Sequence, residues 1–270
     1  MIITQRILIL FILMICFFIN ESVSVAVAAS DELPVQHNWV EITGKYHLIS
    51  NSCDDWRGGE ARASIVVGKD DVFLFDFLAQ NAFRDDGIYG SVVDMHTWSE
   101  DWYSQVAVGT GSGQFYFPDI RGDASLSKKW LPSRNLITTL GGGFSKAKDV
   151  HCDMYLLASI TAYFPRVFIV EAGTRITWSN PGEVRSERGF GVVTYGADHN
   201  RYVTLRYEGG KEGYQAIGSS TFIVDFTSQE ASLSWREWIA KNYGTVTKIE
   251  YYNNPFYSRT GLTFGVFYEW

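Results

Sequence analysis

From Leu262 to the C-terminus every second residue is apolar: Leu262, Phe264, Val266, Tyr268 and Trp270 form one row, and Thr263, Gly265, Phe267 and Glu269 the other. Side chains of an extended chain point alternately to opposite faces, so this stretch is a strand with one continuous apolar face that ends on an aromatic. Such a strand has two homes. It packs on the core of a soluble sheet, or it lines the lipid side of a membrane barrel, and the remainder of the chain has to discriminate.

Export is written into the N-terminus. Arg6 is the sole charge before Glu21, residues 7–19 are apolar apart from Cys16, and Ala26, Val27, Ala28 and Ala29 supply small residues at cleavage spacing. This reads as a cleaved signal peptide over 1–29, because the apolar run is shorter than the roughly 20 residues a membrane-spanning helix needs. Cys16 follows the branched Ile15, which is unlike a lipid-attachment site. Residues 30–37 then form a short periplasmic leader, and 38–270 the folded unit. At 16% aromatic residues with nine Trp, the composition is unusual for a soluble domain. A net charge of −7 and the lack of a basic run exclude nucleic acid held by charge. Cys53 and Cys152 survive cleavage and are a candidate disulfide, whose geometry sequence alone leaves open.

Segments of about ten residues with alternating hydrophobicity follow one another along the chain, at 72–83, 89–98, 102–111, 135–145, 154–164, 167–179, 202–207, 232–239 and 245–252. Tight connections at 68–70, 99–100, 132–134, 165–166, 198–200 and 241–244 alternate with more variable ones at 51–55, 84–87, 112–117, 146–151, 181–186, 215–225 and 254–258. Short turns on one rim and longer loops on the other describe an all-β, antiparallel, up-and-down transmembrane barrel of about 14 strands, with both termini on the periplasmic rim. The count depends on the first strand, 39–50, and on 222–226, which is either an extension or a separate strand, so 12 to 16 stays open.

Charge is confined to one face of these segments. Glu171 and Arg175 lie opposite Phe168, Val170 and Ala172, and similar separation sets aside Asp76, Asp94, His96, Arg121, Asp123, Arg206, Glu208, Arg236, Lys248 and Glu250 as lumen-facing. An outward Arg or Lys at mid-membrane costs about 2–4 kcal/mol, which places these rows inside. Aromatics near turns (Trp98, Trp102, Trp130, Phe164, Trp178, Tyr195, Tyr202, Trp238 and Tyr243) are expected in interfacial girdles. Leu262, Phe264, Val266, Tyr268 and Trp270 should face lipid in a closing strand that pairs with 245–252 on one side and 40–50 on the other.

Four motifs, Asp55-Trp56-Arg57-Gly58, Leu140 through Ser145 (LGGGFS), Arg201 through Tyr207 with Gly210-Lys211-Glu212, and Ser232 through Arg236, resemble the YaiO-type outer-membrane β-barrel family. The resemblance extends over 40–270 and implies bacterial outer-membrane residence with no established activity. Related chains sit in exopolysaccharide systems, but the helical repeats some of them carry do not precede this barrel. The C-terminal row resembles the assembly signal of other outer-membrane barrels, which implies the assembly machinery and outer-membrane lipid as partners of a monomer.

No chemistry stands out from the five His. His47/Ser50 and His96/Ser99 are three apart and point to opposite faces of a strand, and His151, Cys152 and Asp153 are adjacent, so neither a catalytic pair within a strand nor a metal site is expected, and no cofactor. The mixed-sign lumen charges have two readings: cross-strand ion pairs that stiffen a polar interior, or the lining of a water-filled pore. Three functions follow. The first is a passive conduit, by family association for sugar or polysaccharide. The second is a closed-lumen structural or surface-interaction barrel acting through the loops at 112–117 and 215–225. The third is a lipid-modifying enzyme.

Overall fold

The computed structural model describes residues 37–51, 54–164, 168–218 and 221–270; the signal peptide, the leader up to residue 36, Cys53 and the 165–166 turn lie outside them. Fourteen strands form one closed antiparallel barrel in which each strand pairs with its sequence neighbours and the last pairs with the first. They are β1 (Trp39–Ile49), β2 (Trp56–Val67), β3 (Asp71–Ala82), β4 (Asp85–Thr97), β5 (Trp102–Gly111), β6 (Ile120–Trp130) and β7 (Leu136–Lys146). The second half comprises β8 (Cys152–Phe164), β9 (Phe168–Asn180), β10 (Val184–Ala197), β11 (Arg201–Gly218), β12 (Thr221–Ala240), β13 (Tyr243–Asn253) and β14 (Ser258–Glu269).

Closure rests on the C-terminal alternation. β14 pairs with β1 in unbroken register from Trp39 opposite Glu269 to Ile49 opposite Arg259, and with β13 on its other edge. Leu262, Phe264, Val266, Tyr268 and Trp270 all point outward, each about half exposed, in the same belt as Ile42, Phe75, Val106, Leu140, Leu156 and Ile249. An apolar surface running round the whole molecule is far larger than a soluble monomer exposes, and it matches the hydrocarbon zone of a bilayer. A sheet closed on itself leaves no edge whose backbone groups would go unpaired in lipid. The start of β1 and the end of β14 meet at the rim of short turns, where the Trp270 N–H donates to the Asn38 carbonyl at 3.0 Å. By the usual asymmetry of such barrels this rim is periplasmic.

The opposite, extracellular rim differs from the expected set of long loops. β3 and β4 are joined through Phe83 and Arg84 alone, both at positive φ, a tight two-residue hairpin. The 215–225 stretch is strand rather than loop: β11 and β12 run on as one tall hairpin, so 222–226 is an extension of β12. The 112–117 loop turns inward over the lumen, where Phe117 is buried against Tyr89 and Leu78. The Asp85 carboxylate pins it there by accepting the N–H groups of Gln114, Phe115 and Tyr116 at 2.9–3.0 Å.

Four residues assigned from the sequence need correction. Asp94 and His96 lie on the outer face: they pair across β3–β4 with outward Phe73 and Asp71, while the alternating Val93 and Met95 face the interior. They sit within the last four residues of β4, at interfacial depth, where a charge costs little and Asp71 takes the His96 ring. Tyr202 and Trp238 leave the girdle. Both are buried inside, edge to face at 5.9 Å, whereas Trp98, Trp102, Trp130, Phe164, Tyr195 and Tyr243 are exposed outside.

Candidate functional site

The inner face determines what such a barrel can pass, and here it is filled. Strand parity sends Trp39, Leu74, Met95, Tyr103, Ile137, Tyr163, Ile169, Tyr202, Trp238, Val246 and Phe267 inward near the periplasmic ends of their strands, where they join one apolar cluster. Every strand except β2 and β6 contributes to it. Members are at most 8% exposed. An inner-face side chain can be hidden from water only by other inner-face side chains, so this burial measures occlusion of the lumen.

Beside and above this cluster lies a belt of charge. Glu41 bridges Arg62 and Arg236, which also reach Glu60 at 3.1 Å and Glu269 at 3.5 Å respectively. Arg259 lies 3.0 Å from Glu250 and 3.3 Å from Glu230, with Lys248 3.3 Å from Glu250. Arg206 and Arg188 each contact Glu208 at 2.6 Å, and Arg188 continues to Glu212 and Ser228. Arg121 holds Asp123 through two nitrogens at 2.7 and 3.1 Å, and the Tyr155 hydroxyl donates to the same carboxylate. Gly143 makes room for this contact, because a Cβ there would collide with both Asp123 and Tyr155.

Thus Asp76, Arg121, Asp123, Glu171, Arg175, Arg206, Glu208, Arg236, Lys248 and Glu250 face inward, and most stand in ion pairs. Glu41, Arg62, Arg188, Glu212, Glu230 and Arg259 complete the belt and went unread. Of these only Arg62 carries the signal that marks the read pairs, an opposite charge two residues away on the same strand: Glu60/Arg62 repeats the spacing of Arg121/Asp123, Arg206/Glu208 and Lys248/Glu250.

Over the belt, the extracellular end is roofed by Trp56, Phe83, Ile223, Phe226, Tyr252 and Tyr257, with Phe115 and Tyr116 of the inturned loop packed on them. Tyr116 meets Trp56 edge to face at 5.3 Å. To one side of this roof a cavity of about 240 Å³ opens between the inturned loop, β7–β9 and the tall β11–β12 hairpin. Arg121, Arg175 and Tyr155 line it, together with Ser145 and Thr177, and His151, Tyr214 and Phe222 form its aromatic side. The His151 ring lies 4.6 Å from both Tyr214 and Phe222. In the β7–β8 turn, against the burial that would raise it, the His151 N–H and ring hold the Asp149 carboxyl below its ordinary range. Cys152 begins β8 on the outer face, and its proposed partner Cys53 is outside the described residues. Among the described residues no three His, Cys, Asp or Glu side chains are placed to hold a metal.

A fourteen-strand closed sheet with a lipid-facing apolar belt is an outer-membrane β-barrel. The sequence profile of the YaiO membrane beta barrel domain matches residues 37–215, and the chain belongs to that family. Curated proteins offer no sequence match. Solved structures share the fold at low identity. The CymD monoaromatic hydrocarbon channel superposes with a TM-score of 0.57 at 7% identity, over 86% of this chain and 88% of that one. An outer-membrane channel from Pseudomonas putida F1 gives 0.55 at 9% identity, over 90% and 99%. A loop-deleted OmpT, an outer membrane protein of Vibrio cholerae, gives 0.51 at 8% identity, over 86% and 98%.

Proposed function

We propose that the protein is a closed-lumen outer-membrane barrel whose working surface is its extracellular rim. The observation that carries this reading is the burial of inner-face side chains all round the periplasmic half of the lumen. The belt of paired charges supports it, since ions that neutralise one another and are shielded from water stiffen a wall rather than guide a solute. The channel names of the structural neighbours support a shared wall; at such low identity they say nothing of an open path. The test is conductance of heat-modifiable, folded protein in planar bilayers. No stepwise current is expected, whereas the triple variant W39A/W238A/F267A, which removes three rings of the plug, should leak. Steady open-channel current from the unaltered protein would overturn the proposal.

We also propose that export uses the 1–29 signal peptide, and that the assembly machinery reads the outward row Leu262, Phe264, Val266, Tyr268 and Trp270. A chain ending at Phe267 should accumulate unfolded in the periplasm; normal insertion of that truncation would remove the second idea. An uncleaved N-terminus in the mature protein, read by mass spectrometry, would remove the first.

A further inference from the structure

The cations around the rim cavity are not equivalent. Arg121 is engaged at two nitrogens by Asp123. Lys148 donates to the Gly111 carbonyl and to Asp119. Arg175 has neither kind of partner. It is only 7% exposed, its guanidinium lies 5.2 Å from the centre of the Tyr155 ring, and its Nε is buried with no acceptor. Among the described residues no carboxylate lies within ion-pair distance of it; Glu208, which attracts it from further off, is already held by Arg188 and Arg206.

A guanidinium cannot shed its proton, so the charge stays, and a buried charge without a counter-charge is costly. Elsewhere in this lumen the arginines are matched by carboxylates. Arg175 instead faces a cavity that opens to the outside and is lined by the hydroxyls of Ser145 and Thr177. Of the two carboxylates in the lining, Asp149 is already bonded to His151 and Asp153 to Ser179. Tyr214, Phe222 and His151 offer flat faces on the other side of the same space. At about 240 Å³ the cavity suits one ring with its substituents.

We propose that this cavity binds a small ring-bearing carboxylate or phosphate monoester, with Arg175 as the fork for the oxyanion and the aromatic side stacking on the ring. The proposal rests on the rim being the working surface and names the ligand class that surface takes. Three anions separate the possible sources: benzoate for a flat aromatic acid, glucuronate for a sugar acid and phenyl phosphate for a phosphate ester, with glucose and benzyl alcohol as neutral controls.

Calorimetric titration of the folded barrel in nanodiscs should show saturable one-site binding of at least one anion and none of the neutral compounds. Arg175→Gln should weaken that binding about 10- to 100-fold, the worth of a charge-assisted hydrogen-bond pair. Its melting temperature should stay level or rise, because an unmatched buried charge has gone; a fall of several degrees would mark Arg175 as structural and count against the site. Tyr214→Ala, on the tall hairpin away from the belt, should weaken binding with the barrel intact. Failure of all three anions to bind, equal binding of the neutral compounds, or full affinity in Arg175→Gln would overturn the proposal. Conductance recorded on the same samples keeps the two readings apart: binding with steady current sinks the closed lumen and leaves the site, and silence in both assays sinks the site alone.

Discussion

Glu41→Ala is the most direct measure of how dry the lumen is. Glu41 is 1% exposed and holds Arg62 of β2 and Arg236 of β12 at once, so its loss takes one carboxylate from each guanidinium and leaves Glu60 beside the first and Glu269 beside the second. With charge centres about 4 Å apart and an effective dielectric of about 20, each lost pair is worth about 4 kcal/mol before desolvation is counted. Relief of Glu41's own desolvation offsets much of that, and breaking a buried pair from one side costs about 3–5 kcal/mol net. In a water-filled pore the same pairs would be screened and contribute about 1 kcal/mol or less. Urea titration of the barrel folded in liposomes, followed by tryptophan fluorescence in both directions, reads the difference as a shift of midpoint at constant slope. The double variant E41A/R236M should recover part of the loss, because it removes one of the stranded cations, and the non-additivity reports their coupling. If E41A unfolds within about 1 kcal/mol of the unaltered protein, the network is hydrated and the occluded lumen falls with it.

Asp85→Ala removes the acceptor of three backbone N–H groups in the inturned loop. About 1–3 kcal/mol of local stability should go, read as faster chymotrypsin cleavage at Phe115 to Phe117 with the barrel still heat-modifiable; an unchanged cleavage rate would mean that Asp85 does not pin the loop. Gly265→Val should abolish closure, since even a Cβ at that position would overlap the backbone of Ile42 and Thr43 on β1. Gly44→Ala on the facing strand, where nothing lies within 4 Å, should fold normally, and equal folding of the two variants would refute the steric account.

The barrel was legible wherever its outer row is strongly apolar. β5 falls on the 102–111 segment, five of the six short turns occur between the strands that flank them while the sixth, 165–166, lies outside the described residues, and β14 closes on the expected neighbours. β2 and β10 were marked only by the connections on either side and not by their own alternation, because their outward rows are weak in contrast: Arg57, Gly59, Ala61 and Ala63 in one, Arg185, Glu187, Gly189 and Gly191 in the other. With those strands went Glu60, Arg62 and Arg188. Asp94 and His96 were misplaced because charge itself was used to choose the face, an argument that holds at mid-membrane and weakens toward the rim. Their phase relative to Tyr89 and Met95, both buried inside, sets the orientation. Tyr202 and Trp238 show the same limit for aromatics: nearness to a turn fixes depth along the barrel axis, and only parity fixes the side.

The charged belt divides by when its contacts can form. Arg121/Asp123, Arg206/Glu208 and Lys248/Glu250 are neighbours on single strands, available as soon as those strands extend. Glu41 to Arg236 joins the two ends of the chain and exists only once β14 has met β1, whereas Arg236 to Glu269 needs only the β12–β14 meander. An apolar filling, as in the periplasmic half, would serve closure as well or better in energy; paired charges instead penalise a wrong register, because any slip leaves a buried ion unmatched. That logic makes an unmatched cation informative. Arg175 sits in the correct register on β9, in a lumen whose other arginines are neutralised by carboxylates, and the space beside it leads outward to the extracellular rim.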